Sequence, residues 1–455
     1  MPSPAPMNAE IAAAGSTGSD QANWRQGLPE RVVVWLPLTL FFPVGLMYGG
    51  LLIFLFALLV SGDFSQKWQN IKRSPMLLPI CALSGISLIA ALTHDSPTGE
   101  FWSAFAHYQT YLFVLPFLAL GAGTQQGQRA WQEKAQSIFF AGAVIASALF
   151  YLNALKLLPK VTGFKSYVEY NGNKSILLAV LLAVAAGWMI SDWRWKKHQR
   201  HTYIVRGLAL AFVVSALFLL AKSRTASLSF MMLCLLMLFR HFDFSVRKCT
   251  ALIAVLALML GALFGMAQLP PRVTCFANEM SEVYRMNPAN VFYTRAVCTV
   301  HQVRDFQAGK QVSEDGMRLE IYKNTSEVIL QRPITGHGIG NWLPLYQAKA
   351  RGQVSETMTT PHNDYLLYAT ELGLLGLAAL LWIWFTQLRT ARKMVGTSHY
   401  ARAMPLVMLT TTMMIGGMFN AILRDAVFGL AFMILLAIPL AGVEKTVHKN
   451  MKRHE

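Results

Sequence analysis

From Val32 to Gly442 this chain repeats apolar runs of 16 to 25 residues, separated by short connectors rich in lysine and arginine. A helix needs about 20 apolar residues to cross a bilayer, where each backbone amide must find its hydrogen bond inside the segment. The pattern predicts an all-α polytopic membrane protein. Composition supports this, since 54% of the 455 residues are hydrophobic and 14% are charged, against about 25% charged in soluble domains. The mean hydropathy is +0.39.

About twelve membrane helices are expected at the usual span length. The first apolar stretch, 31–61, carries Pro43, Gly45 and Gly49-Gly50 and is read as a tight hairpin of two helices. The others are expected at 75–92, 103–121, 135–155, 173–191, 204–222, 226–240, 249–268, 362–387, 403–421 and 426–442. Five regions follow: a disordered tail over 1–30, nine helices over 31–268, a long loop over 269–361, three helices over 362–442 and a basic tail over 443–455. The first 24 residues are Pro-, Ala- and Ser-rich, with no cleavable signal pattern.

The formal net charge is +17. In a soluble protein that would suggest nucleic acid, but no RNA-binding signature is present, and none is expected as a partner. About 23 of the 40 Lys and Arg fall in the tails and in connectors on one side. The positive-inside rule makes that side cytoplasmic, with both termini there. The connector 156–172, with Lys156, Lys160 and Lys165, breaks the rule.

The loop 269–361 then faces the opposite, periplasmic side. Loops of this length usually carry function. Two helices are expected within it, over 315–331 and about 341–350. It also holds Cys275 and Cys298, candidates for a disulfide in an oxidising compartment, or else two buried thiols. No CxxC and no His/Cys cluster occurs, so no metal site is expected.

Four polar features share this outer side. In AKSRTAS, Arg224 lies between two apolar helices, and Ser223 or Thr225 is placed to cap the second. A guanidinium beside a helix N-terminus suits a phosphate, although a loop arginine meeting lipid headgroups fits the motif equally. Arg318 lies on the expected loop helix, where a solvated face is the plain alternative. PITGHGIGNW supplies Gly336, Gly338 and Gly340, which permit close backbone approach to a ligand, and His337, which reads as a ligand contact or as a packed loop residue.

The fourth feature is PHND. Thr360 is read as the N-cap and Pro361 as the first turn of the helix 362–387. The helix dipole at that end disfavours imidazolium, so His362 is expected to stay neutral, as a general base requires; Asp364 opposes that effect. Gly373 and Gly376 would return to the face of His362. A polar cap at the membrane surface is the bland alternative. Glu371 and the Arg424–Asp425 pair default to structural ion pairing, with the pair able to support the site.

These residues together resemble a known family. His362-Asn363, nine residues, Gly373, two residues and Gly376 is similar to the H-[NSQ]-x9-G-x2-[GTY] pattern of bacterial lipopolysaccharide O-antigen ligases. The spacing R-x14-P-x2-G-x-G-x-G-N-[WF], from Arg318 through Trp342, resembles the rest of the O-antigen ligase/polymerase domain, and SRTA at 223–226 its earlier arginine motif. The resemblance implies a GT-C-like inner-membrane glycosyltransferase with a periplasmic active site. It would move O-antigen from undecaprenyl diphosphate to a sugar hydroxyl of lipid A–core, inverting the anomeric carbon, with no cofactor and no metal. Its partners would be the lipid-linked O-antigen, the lipid A–core and the surrounding membrane lipids.

On that reading His362 or His337 is the base. Arg224 and Arg318 bind the diphosphate with Ser223, Thr225, Gly336 and Gly338, while Asn363, Gly340, Arg424 and Asp425 support them. An O-antigen polymerase or a protein O-oligosaccharyltransferase shares this domain and donor. A flippase for a lipid-linked sugar is a more distant alternative, since no internal repeat is visible.

Overall fold

The structure is a computed structural model that describes residues 24–95, 101–120, 125–157, 173–192, 200–221, 223–240, 245–269, 297–306, 314–397 and 399–444. Cys275, the tail 445–455 and most of the connector 156–172 lie outside the described residues. The described chain is helical, with no strand among these residues.

The first apolar stretch forms α1 (Leu28–Val33), α2 (Leu36–Thr39) and, after a break at Pro43, α3 (Val44–Val60). α1 packs back along α3, so a hairpin forms, but its first arm is short and irregular. α1 also begins inside the segment expected to be a disordered tail. The chain then turns 116° into α4 (Phe64–Arg73) and re-enters as α5 (Leu77–Thr93). The helix expected over 103–121 is broken into α6 (Phe101–Tyr108), a 3-10 turn over Thr110–Val114, and α7 (Leu115–Leu118).

Next come α8 (Gln125–Ala154), α9 (Asn173–Ser191) and α10 (Arg200–Ser215), the last ending in a π turn over Ala216–Leu220. α11 (Arg224–Leu236) and α12 (Val246–Gln268) complete this part. The loop region contains α13 (Glu314–Gln331) and α14 (Trp342–Lys349), both close to expectation. After it stand α15 (Asp364–Glu371), α16 (Gly373–Met394), α17 (Tyr400–Phe419) and α18 (Ala426–Leu440).

Among the described residues, four helices are long and apolar enough to cross a membrane: 131–154, 203–220, 246–266 and 373–394. Shorter apolar helices at 77–93, 176–191, 224–239 and 426–440 run alongside them. Two of these helices are buried within the protein rather than exposed on its outside. α9 is buried at every position from Leu177 to Ala186, and α18 at every position from Phe428 to Leu440. These two helices form the centre of the bundle, with α11 and α17 packed on α9. Close approach depends on small residues: a side chain at Gly187 would strike Leu233, and one at Gly429 would strike Thr110.

One helix differs from the sequence expectation in a way that matters for the site. The span expected over 362–387 is two helices. Its start is not capped by Thr360: Asn363 is the N-cap, its Oδ1 accepting from the Leu366 amide at 3.0 Å. His362 lies outside the helix with φ +50°. The break at Leu372 and Gly373, where φ is +68°, also separates Gly373 and Gly376 from any common helix face with His362.

Candidate functional site

The polar residues gather around one short turn, 420–425, between α17 and α18. Each element arrives there through a specific bond. Asn363 Nδ2 and the Tyr322 hydroxyl both donate to the Met418 carbonyl, at 3.0 and 3.1 Å. Arg318 Nη1 donates to the next carbonyl, Phe419, at 3.4 Å. Asn420 Nδ2 donates to Thr225 Oγ1 at 2.8 Å, which docks the start of α11. The Leu423 amide donates to Asp364 Oδ2 at 3.1 Å. Arg424 Nη1 donates to the Thr359 carbonyl at 2.8 Å, and Asp425 caps α18 through the amides of Val427 and Phe428.

This geometry brings the N-termini of α11, α15 and α18 against a single turn. Each N-terminus carries a partial positive charge. Three arginines, Arg224, Arg318 and Arg424, add full charges to the same neighbourhood. Ser223 caps α11, accepting from the Ala226 amide at 3.3 Å, and Arg224 donates to Thr299.

His362 lies within this field. Its backbone amide donates to Thr360 Oγ1 at 3.3 Å, and its carbonyl shares the single Tyr322 hydroxyl hydrogen, at 3.4 Å, with the closer Met418 carbonyl. Neither imidazole nitrogen is hydrogen-bonded to a described residue. Burial, together with the charges of Arg318 and Arg424, pushes its pKa down to about 4. The expected opposition from Asp364 is absent: that carboxyl is fully buried and turned toward the 422–424 amides. Its Oδ1 has no hydrogen-bond partner among the described residues. A half-buried neutral imidazole with no ring partner among the described residues, within electrostatic reach of two guanidinium groups, can accept a proton next to a bound anion.

His337 has a different setting. Its Nε2 pairs with the Val328 carbonyl at 2.9 Å, which ties the glycine loop to α13. The loop amides are also used within the protein. Those of Gly336, His337 and Gly338 donate to the carbonyls of Arg332, Thr370 and Glu371, at 3.1, 2.8 and 3.0 Å. They are therefore not available to a phosphate. Gly336, Gly338 and Gly340 all have positive φ. A side chain at Gly336 would meet the Gly373 amide and the Glu371 carbonyl, so these glycines allow two backbones to touch.

Glu371 does not form the ion pair expected of it. Its buried carboxylate accepts from the Tyr108 hydroxyl at 2.7 Å and from the Trp342 amide at 3.3 Å. It thus links α6, α14 and α15. Beneath the loop a small core of Ile321, Trp342, Tyr346, Ala350 and Leu367 holds α13 and α14 together. A buried hydrogen-bond chain from Glu320 through Ser355 to Tyr346 reinforces it.

Of the loop cysteines, Cys298 is disulfide-bonded, while Cys275 lies outside the described residues. Sequence reasoning missed the carbonyls of Met418 and Phe419, which organise the site. It also missed Tyr322, Tyr108 and Thr299. Tyr322 had a signal, because it follows Arg318 by one helical turn. The carbonyls had none, since any residue supplies one. His107, on α6, lies within electrostatic reach of Arg424 and Asp425 and was likewise unmarked. No group of three or more His, Cys, Asp or Glu side chains suited to a metal occurs among the described residues.

Compared with known families, residues 208–381 match the model described as O-antigen ligase. The matched region contains Arg224, Arg318, His337, His362, Gly373 and Gly376 and ends within α16; Arg424 and Asp425 lie beyond it. No curated protein matches the chain significantly.

Proposed function

Through residues 208–381 the chain belongs to the O-antigen ligase family, and from that premise we propose that it transfers O-antigen from undecaprenyl diphosphate to a sugar hydroxyl of lipid A–core. In this reading about twelve spans of the usual length form a GT-C-like bundle in the bacterial inner membrane. Both termini are cytoplasmic and the 420–425 turn faces the periplasm.

The acceptor hydroxyl attacks the anomeric carbon from the face opposite the diphosphate. The new C–O bond forms as the bond to the diphosphate oxygen breaks, and the acceptor proton passes to His362. Undecaprenyl diphosphate leaves with the bonding pair. Arg224, Arg318 and Arg424 hold the diphosphate and oppose the charge growing on it, each worth about 2.7–4 kcal/mol in comparable sites. An arginine suits this work because its planar fork grips two phosphate oxygens at once.

The observation that carries the proposal is the setting of His362, neutral, without a hydrogen-bond partner on its ring among the described residues, and within electrostatic reach of Arg318 and Arg424. It favours His362 over His337 as base, since His337 Nε2 is engaged with a helix carbonyl. The glycine loop then contributes shape, holding α13 and α15 in register, and Ser223 and Thr225 contribute as docking contacts of α11.

Reconstitution with lipid-linked O-antigen and lipid A–core tests the reading. Ladder-like lipopolysaccharide is expected from the wild type and none from His362→Ala, with both proteins equally abundant in the membrane. Longer lipid-linked chains in place of a ladder would make the protein a polymerase. Transfer at the wild-type rate by His362→Ala would remove His362 from the chemistry.

A further inference from the structure

A cavity of about 250 Å³ opens at the end of α16 remote from the polar turn. At 1.5 Å of rise per residue it is on the order of 25 Å from Gly373. Trp382, Phe385, Arg389 and Lys393 line it from α16, facing Leu78 at the start of α5. At about 100° per residue these α16 positions form one stripe along the helix. The apolar part of that wall is open: Leu78, Trp382 and Phe385 are 60%, 41% and 61% exposed.

No acidic side chain among the described residues neutralises the charges above the wall. Neither Arg389 nor Lys393 has an acidic partner among the described residues. Glu444, on the cavity rim, pairs with Arg73 at 3.4 Å. His399, also in the lining, is engaged by Arg402.

A second feature sets the level of this end relative to a bilayer. α4 has no buried residue and a strongly one-sided distribution of apolar side chains. Phe64 and Trp68 are 59% and 51% exposed, each with a lysine over its ring, Lys67 and Lys72. An amphipathic helix of this kind, turned 116° from the apolar 17-residue helix α3, lies in the interface between headgroups and acyl chains. Its last residue, Arg73, reaches Glu444 on the cavity rim, so the cavity mouth sits at the same level.

We infer that this cavity binds an anionic phospholipid, with its phosphate at Arg389 and Lys393 and an acyl chain along Trp382, Phe385 and Leu78. A free phosphate would satisfy the two cations and leave the apolar wall uncovered. Unpaired basic side chains between membrane helices at headgroup level are suited to such a lipid.

The full-length protein in detergent is titrated with phosphatidylglycerol, and bound lipid is counted by native mass spectrometry. Phosphatidylcholine and inorganic phosphate serve as comparison and competitor. Retained phosphatidylglycerol is expected for the wild type, with affinity about tenfold or more weaker in the Arg389→Gln/Lys393→Gln double variant. Arg389→Lys should bind as the wild type does. Equal binding of phosphatidylglycerol by the double variant overturns the inference, as does equal binding of phosphatidylcholine by the wild type. Displacement by inorganic phosphate alone would mean that the site recognises a free anion. Should the double variant fail to fold, Lys393→Gln and Trp382→Ala decide singly, each expected to weaken lipid retention and neither to change it if the inference is wrong. No sugar transfer enters the readout, so the result is independent of the proposed reaction.

Discussion

His362 combines three conditions that rarely coincide. Its backbone is left-handed, its ring is half-buried, and two guanidinium groups bear on it. A left-handed φ on a residue with a side chain costs about 1–3 kcal/mol and persists only when the surroundings impose it. Here they do: the Tyr322 hydroxyl holds the His362 carbonyl, and Asn363 starts α15 immediately afterwards. The depressed pKa has a kinetic consequence. With a value of about 4, the ring is neutral across neutral pH, so kcat/KM should be flat there and fall only as pH approaches 4. Replacing Arg424 with Gln removes a repelling charge, so the limb should move upward toward the ordinary histidine range. A limb near 6.5 in the wild type would mean that the ring is not desolvated as described. The same shift affects stability. The unfolded chain takes up this proton below about 6.5, whereas the native ring does so only near 4. The native state therefore weakens as pH falls through that window.

At the scale of elements, the break between α15 and α16 is the main device. A continuous helix over 362–387 would carry its first turn straight out of the bundle. Breaking it at Gly373 lets the Pro333 and Ile334 carbonyls accept from Leu374 and Leu375, at 2.8 and 3.5 Å, which seats the glycine loop on the break. Gly373 has φ +68°, and a side chain there would collide with the Ile334 carbonyl. Gly373→Ala should therefore lower the melting temperature and reduce transfer together, because the new methyl group meets backbone rather than a movable side chain. Glu371 acts at the same joint. Glu371→Gln retains the shape but loses the charge on its two hydrogen bonds, from Tyr108 and Trp342, a change of about 1–3 kcal/mol for such buried pairs. Thermal unfolding in detergent should show this loss, and Tyr108→Phe should show a smaller one by removing a single donor.

Across the whole molecule, two ends of opposite character emerge. One carries the 420–425 turn with its three arginines and three helix N-termini. The other carries α4, Arg389 and Lys393. If the first end faces the periplasm, a single cysteine replacing exposed Lys323 on α13 should react with an impermeant maleimide in whole cells. A cysteine replacing Lys72 on α4 should react only after the inner membrane is opened. The reverse pattern would invert the proposed topology.

Much of this was legible in the sequence because it depends on local pattern. Apolar runs dictate helices wherever a backbone must satisfy itself in lipid, and PITGHGIGNW and PHND stand out because polar, glycine-rich stretches have no other place in such a chain. α13 and α14 followed from periodicity and from Pro333. Three things followed from the tertiary structure alone. The start of α15 moved from Thr360 to Asn363 because Asn363 is also held by a carbonyl of α17. His337 is committed to α13, and Asp364 to the 422–424 amides, through partners far away in the chain. The common meeting place, the carbonyls and amides of 418–424, is backbone, which every residue possesses and no side-chain pattern marks. Sequence thus determined which groups were present and on which kind of element, and long-range packing decided which nitrogens and oxygens remained open to a ligand.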